Sequence, residues 1–357
     1  MTTDLSVSDP PALRRPRILS LMPTRQCTAA CEHCGTFSSP STKVRLSSEV
    51  IRQKIAEAAE QRFDVVVFTG GEATLAGDAL FEYICLASRA GLCTRLVTNG
   101  HWARTERRAA AYLKRLIDAG LREINFSTGD QHARFVPVES VLTGAILSVE
   151  AGLTTAVMVE LIADRGVTKG SLLAHPLLCS VRGANAVKTI MFNESPWMST
   201  DIGTTPRYPD GMAATSRNVH TFKGCDSVLT TVTIEADGRA YACCGLGMTQ
   251  IPELELGHAR EMPLRGMIDK AEDDFLKRWI RTEGPERILH WAAQRDPKID
   301  WEGRHAHKCQ ACMQLYKDPL VRAQIRSGYE EVMPEVTAME WMLHYMPDPV
   351  GEAHISG

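Results

Sequence analysis

Long apolar runs are what this sequence lacks most plainly. No stretch approaches the ~20 apolar residues that span a bilayer, and the opening MTTDLSVSDPPALRRPR has no apolar core of a secretory signal. A dominant charge is missing too: 40 Lys and Arg stand against 43 Asp and Glu, for a net −3. Neither a nucleic acid nor an anionic membrane is therefore expected as partner. The basic cluster Arg14, Arg15 and Arg17 is short, lies in a Pro-rich start and reads as a solvated tail. No internal repeat is visible. These absences leave a soluble, cytoplasmic protein of ordinary composition, 44% hydrophobic and 23% charged.

Residues 1–16, rich in Pro, Ser and Arg, are expected to be flexible. From residue 17 strand and helix patterns alternate. Strands are expected at 17–22, 65–69, 94–98, 123–127, 155–162 and 186–192; the second is a continuous β-branched run of buried parallel character. Helices are expected at 47–61, capped by Ser48, and at 80–90, 107–119 and 138–151. Such alternation implies βαβ units and a parallel sheet. Six units over residues 17–194 are too few for a closed eight-stranded barrel. The fold class is α/β, a partial (β/α)6 TIM barrel with its chemistry at the carboxyl ends of the strands. Residues 195–222, rich in Pro, Gly, Ser and Thr, read as a linker or substrate-facing loop. Residues 223–325 hold a hairpin over 228–242 turning at Asp237-Gly238, a helix over 268–283 and a loop with more cysteines. A helical extension fills 326–357.

The chain has eleven cysteines, which in a reducing compartment serve as free thiols, metal ligands or catalytic groups rather than disulfides. Cys27, Cys31 and Cys34 place three thiols in the loop after the first strand. Thiolates suit iron–sulfur clusters, zinc or copper(I). Four would close a zinc site or saturate a cubane, whereas three leave a position for an exogenous ligand. A loop zinc site borrowing His33 is the plainer alternative. At the end of the second strand stand Gly70, Gly71 and Glu72, where glycines let the backbone approach a ligand and a carboxylate can accept from an ammonium. Asn99 ends the third strand, and Ser127 and Asp130 the fourth. Glu160 lies in the fifth, with Arg165 just beyond it.

The Cys27-x3-Cys31-x2-Cys34 spacing resembles that of the radical S-adenosylmethionine (SAM) superfamily. Gly70-Gly71-Glu72, one βα unit later, resembles that family's GGE motif. The resemblance implies a [4Fe–4S] cluster on the three cysteines, with the methionyl amine and carboxylate of SAM on the fourth iron. Cleavage of SAM then yields a 5′-deoxyadenosyl radical that abstracts hydrogen. The same resemblance places the backbone at 70–71 and Glu72 on the methionyl amine, and Asn99, Ser127 and Asp130 on the cofactor's carboxylate and ribose. Many relatives have Ser-x-Asp; this chain has Gly129 where that Asp falls, and Asp130 is the substitute. Glu160 or Arg165 completes the methionyl site or forms a salt bridge within the barrel.

A second set comprises Cys225, Cys243 with Cys244 beside it, and Cys309-x2-Cys312. The hairpin can bring Cys225 and Cys243 together, and the later pair supplies two more thiolates. The C-x12-G-x4-C opening, through Gly238, and the following Leu256-Gly257-His258-Ala259-Arg260-Glu261 resemble the SPASM and twitch auxiliary-cluster regions. No cysteine follows Cys312, so the resemblance implies one auxiliary [4Fe–4S] cluster in a small α+β domain. Two alternatives stand beside this: zinc held by His305, His307, Cys309 and Cys312, and Cys244 as ligand in place of Cys243, depending on register. Cys85, Cys93 and Cys179 sit in apolar contexts and are expected in the core.

Enzymes of this combined architecture abstract hydrogen from an unactivated carbon, mostly in ribosomally made peptides. Maturation of such a peptide (RiPP) is the function implied, without an assigned acid–base residue. Radical oxidation of a small molecule such as an amino sugar is the alternative, and a non-catalytic zinc protein is the reading of another class. The resemblance also implies an external electron donor such as flavodoxin or ferredoxin. No leader-binding domain is evident at the N-terminus, which weakens the peptide reading without removing it, since a separate protein can supply leader recognition.

Overall fold

The computed structural model describes residues 17–32, 34–181 and 189–345. The expectations for residues 1–16, His33 and residues 346–357, and for the first part of the sixth strand, lie outside these. Six strands run parallel and in chain order: β1 (Ile18–Leu21), β2 (Val65–Phe68), β3 (Cys93–Thr98), β4 (Glu123–Thr128), β5 (Thr154–Leu161) and β6 (Met191–Pro196). Helices α1 (Ser48–Glu60), α2 (Asp78–Arg89), α3 (Glu106–Asp118) and α5 (Val138–Glu150) connect them, with the single turn α4 (Asp130–Ala133) after β4. The sheet stays open, as a partial barrel. Helix α1 shows why the pattern folds this way: Val50, Ile51, Ile55 and Ala58 share one buried face. Its cap is Ser47, whose side chain accepts from Val50 N; Ser48, expected in that role, bonds the Tyr83 hydroxyl instead at 2.6 Å.

The sixth strand begins at Met191, later than expected, and takes in Ser195 and Pro196 from the expected linker. The rest of that segment is tied down, since the Tyr208 hydroxyl donates to Trp197 O at 2.8 Å and lies 3.1 Å from Gln310 Oε1.

The hairpin does not stand apart from the barrel. β7 (Thr231–Ile234) pairs in parallel with β1, Ile18 opposite Thr231 and Leu21 opposite Ile234. β8 (Arg239–Tyr241) and β9 (Glu255–His258) continue the sheet antiparallel. The Asp-Gly turn is as expected, with Gly238 at φ +92. Five helices follow the short α6 (Lys169–Leu173) and α7 (Pro176–Val181) of the barrel: α8 (Leu264–Glu272), α9 (Phe275–Thr282), α10 (Pro285–Arg295), α11 (Lys308–Lys317) and α12 (Pro319–Tyr345). The helix expected over 268–283 is therefore two, because Asp274 caps a new start by accepting from Leu276 N at 2.9 Å. The Cys309–Cys312 pair lies in helix α11 rather than in a loop. One apolar core fills the barrel and includes Val232, Ile234 and Leu256. A second gathers Trp279, Ile288, Met313 and Val321 around α9–α12. No helix among the described residues is long and apolar enough to cross a membrane.

Candidate iron–sulfur sites

The loop between β1 and α1 carries Cys27, Cys31 and Cys34, and the end of β2 clips onto its backbone. Gly71 N donates to Thr24 O at 3.0 Å and Glu72 N to Gln26 O at 2.9 Å. A Cβ on Gly71 would lie 2.3 Å from Gln26 O, so only glycine permits this approach. Glu72 is buried, and its carboxylate accepts from Thr74 Oγ1 (2.6 Å), Thr98 Oγ1 (2.8 Å) and Asn99 N (2.8 Å). It joins the ends of β2 and β3, Oε1 taking the two hydroxyls and Oε2 the Asn99 N–H. Asn99 Nδ2 lies 3.0 Å from Thr28 Oγ1 and 3.6 Å from Cys27 Sγ. Burial drives the Cys27 thiol up to about 11 and the Cys31 thiol up to about 12, and the neighbouring thiols add to it. Without a metal these thiols hold their protons, and metal binding must displace them.

Across the strand ends, Gly129 takes φ +142, and a Cβ there would lie 1.9 Å from Glu160 Cγ. The room that a side chain at 129 would need is filled by Glu160 from the neighbouring strand. Glu160 accepts from Gln131 N at 2.6 Å and lies 3.4 Å from His132 Nδ1. Gln131 Oε1 in turn accepts from Glu32 N at 3.3 Å, inside the cysteine loop. The Asp130 carboxylate is taken up by Gly166 N (3.0 Å) and Val167 N (2.8 Å) and fixes the loop after β5. Arg165 forms the salt bridge considered for it, 2.6 Å from Glu194 Oε1, while its Nη1 is buried without a partner. Ser127 is half-buried opposite Met158.

The second set lines one pocket, in which Cys225, Cys243, Cys309 and Cys312 stand among apolar side chains and Lys308. Cys243 is buried, whereas Cys244 is exposed beside Ser227 Oγ at 3.2 Å. Register thus turns Cys243 inward. Backbone N–H groups already aim at these sulfurs: Val228 and Ser227 at Cys225, Gly245 at Cys243, Leu246 at Cys309. A Cβ on Gly245 would lie 3.0 Å from Cys309 Sγ. Amide donors directed at sulfur suit thiolates bound to a cluster. Burial raises all four thiols, Cys309 to about 12. Of the histidines of the zinc alternative, His307 accepts at Nδ1 from Cys309 N at 3.1 Å as the cap of α11, and His305 Nε2 lies 2.5 Å from Gln314 Oε1. Among the described residues no three His, Cys, Asp or Glu side chains converge as around a single ion. A cubane asks less convergence, since each thiolate meets a different iron.

The two cysteine loops touch. Gly247 N donates to Gly35 O at 3.2 Å, and a Cβ on Gly35 would strike Leu246. Sequence reading missed this contact, Lys308 and Arg25, since none carries a local signal. Of the three cysteines expected in the core, Cys179 is exposed and Cys85 and Cys93 are half-buried; Cys179 falls near the end of the short α7, where little packs over it.

Parallel strands with thiols, a Gly-Gly-Glu turn and polar residues at one end form the arrangement expected of a radical SAM domain. Residues 21–167 match the Radical SAM superfamily model. The chain is 22% identical over 272 residues, 74% of its length and 80% of the relative, to YydG of Bacillus subtilis (strain 168), whose name places it in peptide biosynthesis. It is 29% identical over 164 residues to a GTP 3′,8-cyclase of Campylobacter curvus (strain 525.92), covering 43% of this chain and 49% of that one. In fold it is similar to anSMEcpe solved with bound AdoMet, at TM-score 0.53 and 14% identity, covering 91% of this chain and 99% of that one.

Proposed function

We propose that Cys27, Cys31 and Cys34 hold a [4Fe–4S] cluster with one iron open to SAM, and that Cys225, Cys243, Cys309 and Cys312 hold one auxiliary [4Fe–4S] cluster. On this reading the enzyme abstracts hydrogen from an unactivated carbon of a ribosomally synthesised peptide, in RiPP maturation. When bound and reduced, the first cluster and SAM supply a 5′-deoxyadenosyl radical. The observation that carries the reading is the clip of Gly71 and Glu72 onto Thr24 and Gln26, which sets the end of β2 against the three-thiol loop.

The chain's own residues do the rest. Gly70 and Gly71 keep side chains away from the cofactor's approach, and Glu72 fixes the ends of β2 and β3. Asn99 orients Cys27 and stands with Ser127 where the methionyl and ribose groups lie. Glu160 and Asp130 hold α4 and the loop after β5, and the spare Nη1 of Arg165 is a donor for the cofactor's carboxylate. The domains follow as a barrel over 17–194, a segment 195–222 over its mouth, an auxiliary-cluster unit over 223–325 and the helical extension beyond.

Two comparisons favour a peptide over a small molecule: the peptide-biosynthesis name of YydG, and anSMEcpe solved with both AdoMet and a peptide, at TM-score 0.53. A flavodoxin or ferredoxin supplies the electron, and a separate protein recognises the leader. The test is anaerobic reconstitution with SAM, reductant and a precursor peptide encoded beside this chain's gene. A peptide mass loss of about two hydrogens or a new crosslink, with release of 5′-deoxyadenosine, supports the reading. Peptide left unchanged while 5′-deoxyadenosine forms would turn it toward a small-molecule substrate.

A further inference from the structure

We propose that the Tyr316 hydroxyl donates a hydrogen bond to the Cys312 sulfur when the auxiliary cluster is bound, and so raises that cluster's reduction potential. The inference rests on the auxiliary-cluster reading above.

Three of the four thiols meet amide donors from loops, Leu246 reaching Cys309 from outside its helix, whereas Cys312 lies deeper in α11, where N–H groups are committed to the helix. Tyr316 follows one turn later, on the same face. Helical side chains lean toward the N-terminus, which carries the Tyr316 ring over the turn that holds Cys312. Tyr316 is only 5% exposed, and its hydroxyl is buried without a hydrogen-bond partner. An orphaned buried hydroxyl is costly, and here it has a reason once a sulfur ligand becomes an anion. Cys312, Asp274, Cys243 and Glu253 are the ionisable groups around the Tyr316 hydroxyl, and Cys312 acts on it most strongly once its sulfur is an anion. The carboxylates in its surroundings are already engaged: Asp274 with Leu276 N and Lys277 Nζ, Glu253 with Arg322. A hydrogen bond to a cluster sulfur favours the more negative, reduced state, so its loss moves the potential downward.

The test is Tyr316→Phe in the anaerobically reconstituted enzyme, read by iron count and by an EPR-monitored redox titration of both clusters. The expected result is about eight irons per chain, as in wild type, a more negative midpoint for the auxiliary cluster and an unmoved midpoint for the SAM-binding cluster. The cluster-free variant should melt no lower than cluster-free wild type, because the hydroxyl it loses is unpaired there. An unmoved auxiliary midpoint with all iron retained would overturn the role of Tyr316. A clear drop in cluster-free stability would also overturn it, marking the hydroxyl as structural. A wild-type count of about four irons is a separate outcome, since it removes the auxiliary cluster itself.

Discussion

Arg25 Nη2 lies 3.0 Å from Glu235 Oε2, joining the loop two residues ahead of Cys27 to the end of β7. Glu235 is fully buried, with its other oxygen unbonded, and Asp237 shares the Arg25 guanidinium at 3.1 Å. The pair fastens the cysteine loop to the hairpin whose far strand leads into Cys243.

Removing the arginine alone strands a buried carboxylate. Arg25→Met should cost about 3 kcal/mol at neutral pH, measured by chemical denaturation, and the Arg25→Met/Glu235→Gln pair should recover part of it. Burial leaves Glu235 above its ordinary value despite Arg25. The folded state thus keeps the proton longer than the unfolded chain, and stability falls as pH rises through that interval. Without Arg25 the interval extends upward, so the deficit of Arg25→Met should shrink toward pH 4. A deficit independent of pH would contradict the pairing.

Gly129→Ala should strike Glu160 and strain the backbone at φ +142. A loss of roughly 2 kcal/mol is expected, together with weaker SAM binding by calorimetry. Gly129→Ala/Glu160→Ala should regain only part of the stability, since Glu160 Cβ would still lie 2.9 Å away. Full recovery would show that Glu160 alone sets the glycine requirement.

The adjacent cysteines make a sharp contrast. Cys243→Ala should lower iron by about four per chain, and Cys244→Ala, altering an exposed thiol, should leave the count unchanged. The reverse pattern would mean that the strand register in the loaded protein differs.

His305 is buried, and burial lowers its pKa. Gln314 Nε2 donates to Asp300 O, which leaves Oε1 to accept from His305 Nε2–H; Nδ1 is unbonded. Charging the ring would desolvate a second donor, a penalty that outweighs the favourable contacts with Gln314 and Gln310. Stability should hold above the ordinary histidine value of about 6.5 and decline as pH falls below it toward the lowered folded value. His305→Gln should flatten that decline in a series of melting temperatures from pH 7 to 5; an unchanged slope would assign it to other groups.

The barrel was legible wherever pattern is local. Val65–Phe68 is a bare β-branched run, and the Cys27–Cys34 and Gly70–Glu72 signals sit on adjacent strand ends. The edge strand β6 was expected too early, at 186–192, because Asn193, Glu194 and Ser195 are polar and no buried alternation marks its end. The pairing of β7 with β1 joins residues more than two hundred apart, which no window of sequence reveals. Asp274 was a readable cap signal, yet periodicity on both sides made one helix of α8 and α9. Glu160 filling the room at Gly129 required two strands to be seen side by side.

The central claim is that the three-thiol loop makes a SAM-cleaving cluster. Its most direct test is 5′-deoxyadenosine release by the anaerobically reconstituted chain with SAM and a strong reductant. The account predicts release by wild type and none from Cys27→Ala, Cys31→Ala or Cys34→Ala. A wild-type chain that binds zinc without iron and sulfide, or that carries its iron yet releases no 5′-deoxyadenosine, would contradict it.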